Sequence, residues 1–204
     1  PEYAPDEPTY GLPLGEILIS DVLADAGYVT GVIGKWHLGA APHFHPNERG
    51  FQEFYGFLGG GHNYFSSADN DSGREPLIPL LRNEVALEKH PGYLTEVFSH
   101  EAVSFIERHA TVPFFLFLSY NAPHSPLQAP DEYRRRFLHI QDPTRRLYAA
   151  MVAALDDGVG EVITALRDQK LLESTLLIFL GDNGGAAKSH AMNGFRGSKA
   201  SFYE

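Results

Sequence analysis

Apolar positions along the chain fall into short continuous runs and helix-spaced stripes, and three of the runs stop at a polar cluster. After an extended stretch from Pro1 to Pro13, Ile19, Val22, Leu23 and Ala26 recur at helical spacing, with Gly27 as the stop. Tyr28 to Ile33 (YVTGVI) is a β-branched run that predicts a strand, and it ends in Gly34, Lys35, Trp36, His37, Leu38 and Gly39. Residues 40 to 92 carry recurring Gly, Pro, Asn and His and predict mostly irregular chain, with a polar turn at Asp69 to Glu75 and a small strand pair within Leu77 to Glu88. Tyr93 to His109 predicts an amphipathic helix with Leu94, Val97, Phe98, Ala102, Phe105 and Ile106 on one face. Pro113 to Ser119 predicts a buried strand that runs into Asn121, Pro123, His124 and Pro126. Thr144 to Gln169 predicts a long helix with Leu147, Met151, Leu155, Val159, Val162 and Leu166 inward. The last run, Leu176 to Leu180, predicts a strand buried on both faces, cut off by Gly181 and followed by Asp182 and Asn183.

Helices alternating with short buried strands predict an α/β fold, a mainly parallel sheet flanked by helices on both faces. A parallel sheet brings the three polar clusters, Lys35/His37, His124 and Asp182/Asn183, to the carboxyl edge where open α/β sheets bind ligands. That shared edge weighs more than any one cluster.

Composition narrows the possibilities. The 204 residues suffice for one domain with a real core, and 43% hydrophobic with 21% charged residues is ordinary for a globular protein. A formal charge of −10 argues against a nucleic-acid partner or an acidic membrane surface, but leaves room for an anionic small substrate held by a local basic cluster. No apolar run approaches the roughly 20 residues of a membrane span. Without cysteine there is no disulfide or thiolate metal site within these residues.

Each cluster has a chemistry and an ordinary alternative. In an extended segment Lys35 and His37 point the same way, a cation and an imidazole suited to gripping an anion and moving a proton; the alternative is a surface lysine and a packed histidine beside Trp36. His124 sits between two prolines that restrict its backbone, or is a loop histidine satisfied by backbone. Asp182 and Asn183 offer oxygens to a hard cation, Ca²⁺ or Mg²⁺, and equally suit a helix N-cap. Lys199 alone reads as a solvated lysine. Asp156 and Asp157 fall within a helix, where neighbours face about 100° apart, and read as structural. His43 and His45 lack a third zinc ligand nearby, and Gly59 to Gly61 lacks the ending of a phosphate-binding loop. Arg134 to Arg136 reads as a solvated helical face.

Five segments in order, AGYVTGVIGKWHLG, ERGFQEFYGFLGG, FLFLSYNAPHSP, LLIFLGDNGG and FRGSKASFYE, make the chain resemble the formylglycine-dependent sulfatases of the alkaline phosphatase superfamily. The resemblance implies hydrolysis of a sulfate monoester, on a sulfated small molecule or sugar, with a divalent metal (Ca²⁺, or Mg²⁺). It implies that Lys35 and His37 contact the formylglycine and the sulfate, that His124 and Lys199 bind sulfate oxygens, and that Asp182 and Asn183 are metal ligands. His62, with His43 and His45, is a weaker candidate for the substrate pocket. A periplasmic, secreted or lysosomal location is also implied.

One departure matters. The family's nucleophile lies in a Cys/Ser-x-Pro-x-Arg segment, and this chain has no Cys and no Ser in that context. A pair of metal-binding acids is missing as well. The chain is therefore expected to be the central part of the family's catalytic domain, with the nucleophile upstream, the C-terminal subdomain absent, and no turnover by itself. Competing expectations are a metal-dependent phosphodiesterase or phosphonate hydrolase of the same superfamily, and a non-catalytic sulfatase-like module. Oligomeric state is not legible.

Overall fold

The computed structural model describes residues 4–65, 79–88, 92–185 and 199. The expected turn at Asp69 to Glu75, and His190 and Arg196 of the tail, lie outside them. Five strands form one mixed sheet: β1 (Val29–Lys35), β2 (Glu53–Phe57), β3 (Leu80–Arg82), β4 (Val85–Leu87) and β5 (Phe114–Ser119), in the order β4-β3-β2-β1-β5. β1 pairs in parallel with both β2 and β5, while β3 and β4 form an antiparallel hairpin against β2. The parallel core and the strand pair agree with the sequence pattern. β2 does not, because it lies inside the region expected to be irregular and is the middle strand of the sheet.

Alternation along β1 sorts the two faces. Ile33 points into the larger core with Tyr55, Phe57 and the helix α2 (Leu94–Arg108), whose Phe105 lies over Gly31 where a Cβ would collide with its ring. Val32 points the other way, into a cluster with Trp36, Phe51, Phe54 and Leu58, joined by Leu18 at the start of α1 (Ile19–Asp25). The long helix α4 (Pro143–Asp168) packs on α2 and is capped by Asp142, whose carboxylate accepts from the Arg145 N–H at 2.8 Å. The short helix α3 (Asp131–Arg136) leans on α4, where Arg136 pairs with Asp157 at 2.8 Å, so Asp157 is structural as its position predicts. No helix among the described residues is long and apolar enough to cross a membrane.

Two glycines let the parallel strands close up. Gly34 has φ of +114°, a backbone region L side chains avoid, and a Cβ there would strike the Ser119 carbonyl. A Cβ on Gly56 would strike the Gly34 carbonyl in turn. Larger residues at either position would push apart the ends of β1, β2 and β5.

Toward the amino ends of these strands, an ionic clasp ties α2 to the sheet. Arg82 donates to both Glu101 oxygens at 2.8 and 2.7 Å, and Glu53 accepts from Arg108 and from His109 Nε2, each at 2.6 Å. Partial burial pushes the Glu53 carboxyl up, but the hydrogen bonds from Arg108 and His109 outweigh it and hold it below its ordinary value. A depressed folded-state value gives stability that is complete above the unfolded carboxyl value of about 4.3 and is lost as pH falls through the folded value. Urea midpoints measured from about pH 7 down to about pH 3 should therefore fall below about pH 4, and Glu53→Gln should flatten that fall. An identical slope in the variant would remove Glu53 from the explanation.

The final apolar run departs most from expectation. Leu176 to Leu180 is not paired with any strand of the described residues, and its residues are 45–86% exposed. The buried strand read from LLIFL is thus corrected. The run follows Leu171 and Leu172, which pack with Phe114 against the same small cluster, and no strand of the described residues lies alongside to cover it. β5 is the sheet's last strand, mostly half-buried along its length, with Phe117 44% exposed.

Candidate active site

Register brings three loop starts to one edge. Lys35 at the end of β1 is level with Phe57 at the end of β2, and Gly34 with Ser119 at the end of β5. The loops after β2, β1 and β5 therefore leave from neighbouring points, carrying His62, His37 and His124 respectively. Two of the three clusters expected at one sheet edge, Lys35/His37 and His124, are on it. The third, Asp182/Asn183, is not, because the run before it is not a strand of the described sheet, and the loop of His62 is the third one there.

Each histidine is held differently. Past Lys35, the Trp36 and His37 N–H groups donate to the Phe57 and Leu58 carbonyls, both at 3.0 Å, and Trp36 Nε1 donates to the Phe44 carbonyl. His37 takes φ of +57°, so Lys35 and His37 do not share one side of an extended segment as their spacing suggests. The turn instead leaves His37 exposed while Trp36 stays buried and Lys35 half-buried. His62 is 7% exposed and lies 4.9 Å from the Phe57 ring, with Nδ1 2.7 Å from the Asn63 carbonyl. His124 is half-buried, and its Nδ1 is 2.8 Å from the Ser125 carbonyl. A carbonyl can only accept, so Nδ1 carries a proton, and Nε2 is the ring nitrogen outside this contact.

The loop after β2 reaches across to the loop after β5. A Cβ on Gly61 would lie 3.7 Å from His124 Nδ1. Tyr64, fully buried, places its hydroxyl 2.9 Å from the Asn121 carbonyl and 3.0 Å from the His124 carbonyl. Tyr64 stacks on Tyr93, and Gln128 receives the Tyr64 N–H on its side chain and the Tyr93 hydroxyl on its carbonyl. Burial pushes the Tyr64 phenol well above its ordinary value and that of Tyr93 up to about 12, so both stay neutral donors. Asn121 is 4% exposed, and its Oδ1 accepts no hydrogen bond from the described residues. Sequence reasoning singled out His124 but not this frame. The only signal was the aromatic pair after the glycines, Tyr64 and Phe65.

The remaining candidates lie on the chain beyond the uncovered run. Asp182 and Asn183 are exposed, and Asn183 Nδ2 donates to Asp182 Oδ2 at 2.7 Å. The Lys199 N–H donates to the Gly185 carbonyl at 3.0 Å, which brings that lysine to the same loop. Among the described residues no three His, Cys, Asp or Glu side chains gather as a metal site. Two donors, one already bonded to the other, do not fit the roughly six to eight oxygens of Ca²⁺ by themselves.

His43 and His45 turn out to be structural. His43 Nε2 is 2.8 Å from the Pro8 carbonyl, and His45 bridges the Asn83 carbonyl and the Asn47 N–H. Burial, the largest influence on His45, holds its imidazole below its ordinary value and favours the neutral form that this bridge requires.

Residues 3–203 match the family model described as Sulfatase. Arylsulfatase J of Mus musculus is 34% identical over 198 residues, covering 95% of this chain and 33% of that protein. N-acetylgalactosamine-6-sulfatase of Homo sapiens is 33% identical over 196 residues, covering 90% of this chain and 35% of that protein. A crystal structure of Ps i-CgsB in complex with k-i-k-neocarrahexaose superposes with a TM-score of 0.88 at 38% identity, covering 98% of this chain and 47% of that one. The chain thus spans about a third of the length of the curated relatives it matches.

Proposed function

This chain belongs to the sulfatase family and has its alkaline phosphatase-like fold, and on that premise we propose that it is the central part of the catalytic domain of a sulfuric ester hydrolase acting on a sulfated sugar. The observation that carries the proposal is the register that sets the loops of Lys35/His37, His62 and His124 side by side. They make a basic edge on a chain whose formal charge is −10, which suits a sulfate monoester. The sugar is supported by the names of the relatives and by the neocarrahexaose bound to Ps i-CgsB.

The chain's own groups divide the work. The Lys35 ammonium and the His124 imidazolium, which donates from Nε2 while Nδ1–H stays on the Ser125 carbonyl, grip sulfate oxygens and offset the charge that develops as the ester bond breaks. His37, exposed at the turn, takes and returns a proton. Lys199 steadies the oxygen of the departing alcohol, and His62 borders the substrate. Sulfatases in general use a divalent metal and a formylglycine; when present, the formylglycine supplies the nucleophile that this chain lacks. Ca²⁺ is the cation we favour, with Asp182 and Asn183 as a minority of its ligands.

Matched sulfate and phosphate esters of one sugar or phenol, given to the full-length protein, test the assignment. Sulfate esters should be hydrolysed with kcat/KM roughly a hundredfold higher. Equal or inverted rates would move the protein to a phosphate-ester chemistry.

A further inference from the structure

We propose that Tyr64 is a positioning residue for His124, a role that rests on the site assigned above. Three observations converge on it. Its hydroxyl meets the carbonyls of both Asn121 and His124, 2.9 and 3.0 Å away, and so spans the turn that carries the histidine. The His124 N–H donates to the Asn121 carbonyl at 2.8 Å, so the phenol completes a closed ring of hydrogen bonds around that turn. Tyr64 is also fixed on every other side: its N–H by Gln128, its carbonyl by the Leu94 N–H at 2.8 Å, and its ring by Tyr93.

Tyr64 is 0% exposed and cannot touch a substrate, so any influence on catalysis passes through the turn. A phenol has one proton to share between two carbonyls, and that shared bond sets the height of the turn above the sheet. The geometry has a chemical consequence at His124. With Nδ1 committed to the Ser125 carbonyl, only the path of the backbone decides where Nε2 points. Displacing a charge-stabilising donor by about 1 Å can cost up to about a hundredfold in rate.

A double-mutant cycle in the full-length protein separates this role from general support. Tyr64→Phe keeps the ring and its stacking and removes only the hydroxyl. It should lower kcat/KM on an aryl sulfate about tenfold, mainly through kcat, with the melting temperature within a few degrees of wild type. In a His124→Ala background the same change should cost at most about twofold, because the group it positions is gone. Tyr93→Phe, which loosens Gln128 instead, should act in the same direction and more weakly. An equal tenfold loss with and without His124 would show a merely structural tyrosine and overturn the proposal. Full activity in His124→Ala would instead overturn the site assignment on which it rests.

Discussion

Purified as the 204-residue chain, the protein is expected to release no sulfate from an aryl sulfate above the uncatalysed rate. The reason is chemical. In the proposed site Lys35, His37 and His124 would bind and polarise an anion, but such groups assist a covalent step that needs a nucleophile. The chain has no Cys, and none of its serines lies in a Ser-x-Pro-x-Arg context. Where a nucleophile is removed from a site built around it, the loss is on the order of 10⁶-fold, and the groups left behind recover little. Ion chromatography of sulfate after long incubation at high protein concentration measures this. Steady sulfate release, abolished by His124→Ala, would mean that a different nucleophile operates here.

The second large effect concerns the full-length protein. Lys35→Ala and His124→Ala are each expected to lower kcat/KM for a sulfate ester by on the order of 10²–10³-fold, about 3–4 kcal/mol of transition-state stabilisation apiece. Lys35 at the end of β1 and His124 in the loop after β5 are half-buried rather than packed in a core cluster, so folding should survive. Circular dichroism and melting curves beside the kinetics make that check. Near-normal rates in either folded variant would take that residue out of the site. Lys35→Arg should restore little, because a planar guanidinium is wider than an ammonium and the end of β1 lies between two paired strands.

Legibility from sequence divided along physical lines. The helical stripes of α2 and α4 were plain because the period of 3.6 needs no knowledge of partners. α2 and α4 end within a residue of where the pattern places them. β1 and β5 were equally clear, each a compact apolar run ending at a polar cluster, and so the Lys35, His37 and His124 placement followed. β2 was not seen. Its run is broken by Gln52, Glu53 and Gly56, and it sits among the glycines, prolines and histidines of an irregular stretch. Its burial comes from β1 and α2, neighbours that a local pattern does not contain. Leu176 to Leu180 failed in the opposite sense. Five apolar residues in a row predict a strand covered on both sides, yet cover is a property of what lies beside the run. Tyr64 was invisible for a related reason, since its hydroxyl bonds backbone carbonyls 57 and 60 positions away. Lys199 carries no local signal, and only the family resemblance marks it.

The uncovered run has a practical consequence for handling the chain. Leu176, Ile178, Phe179 and Leu180 are each at least 70% exposed, and no strand of the described residues pairs with the outer edge of β5. A sticky ribbon and an unpaired strand edge together form a template for self-association. The segment from Leu176 to Leu180 is apolar, uncharged and free of proline, the composition of aggregation-prone strands. Solubility, more than folding, will set the upper limit on concentration. A charge placed at Ile178 or Phe117 would act as a gatekeeper, keeping the chain monodisperse while leaving the basic edge at Lys35 and His124 untouched.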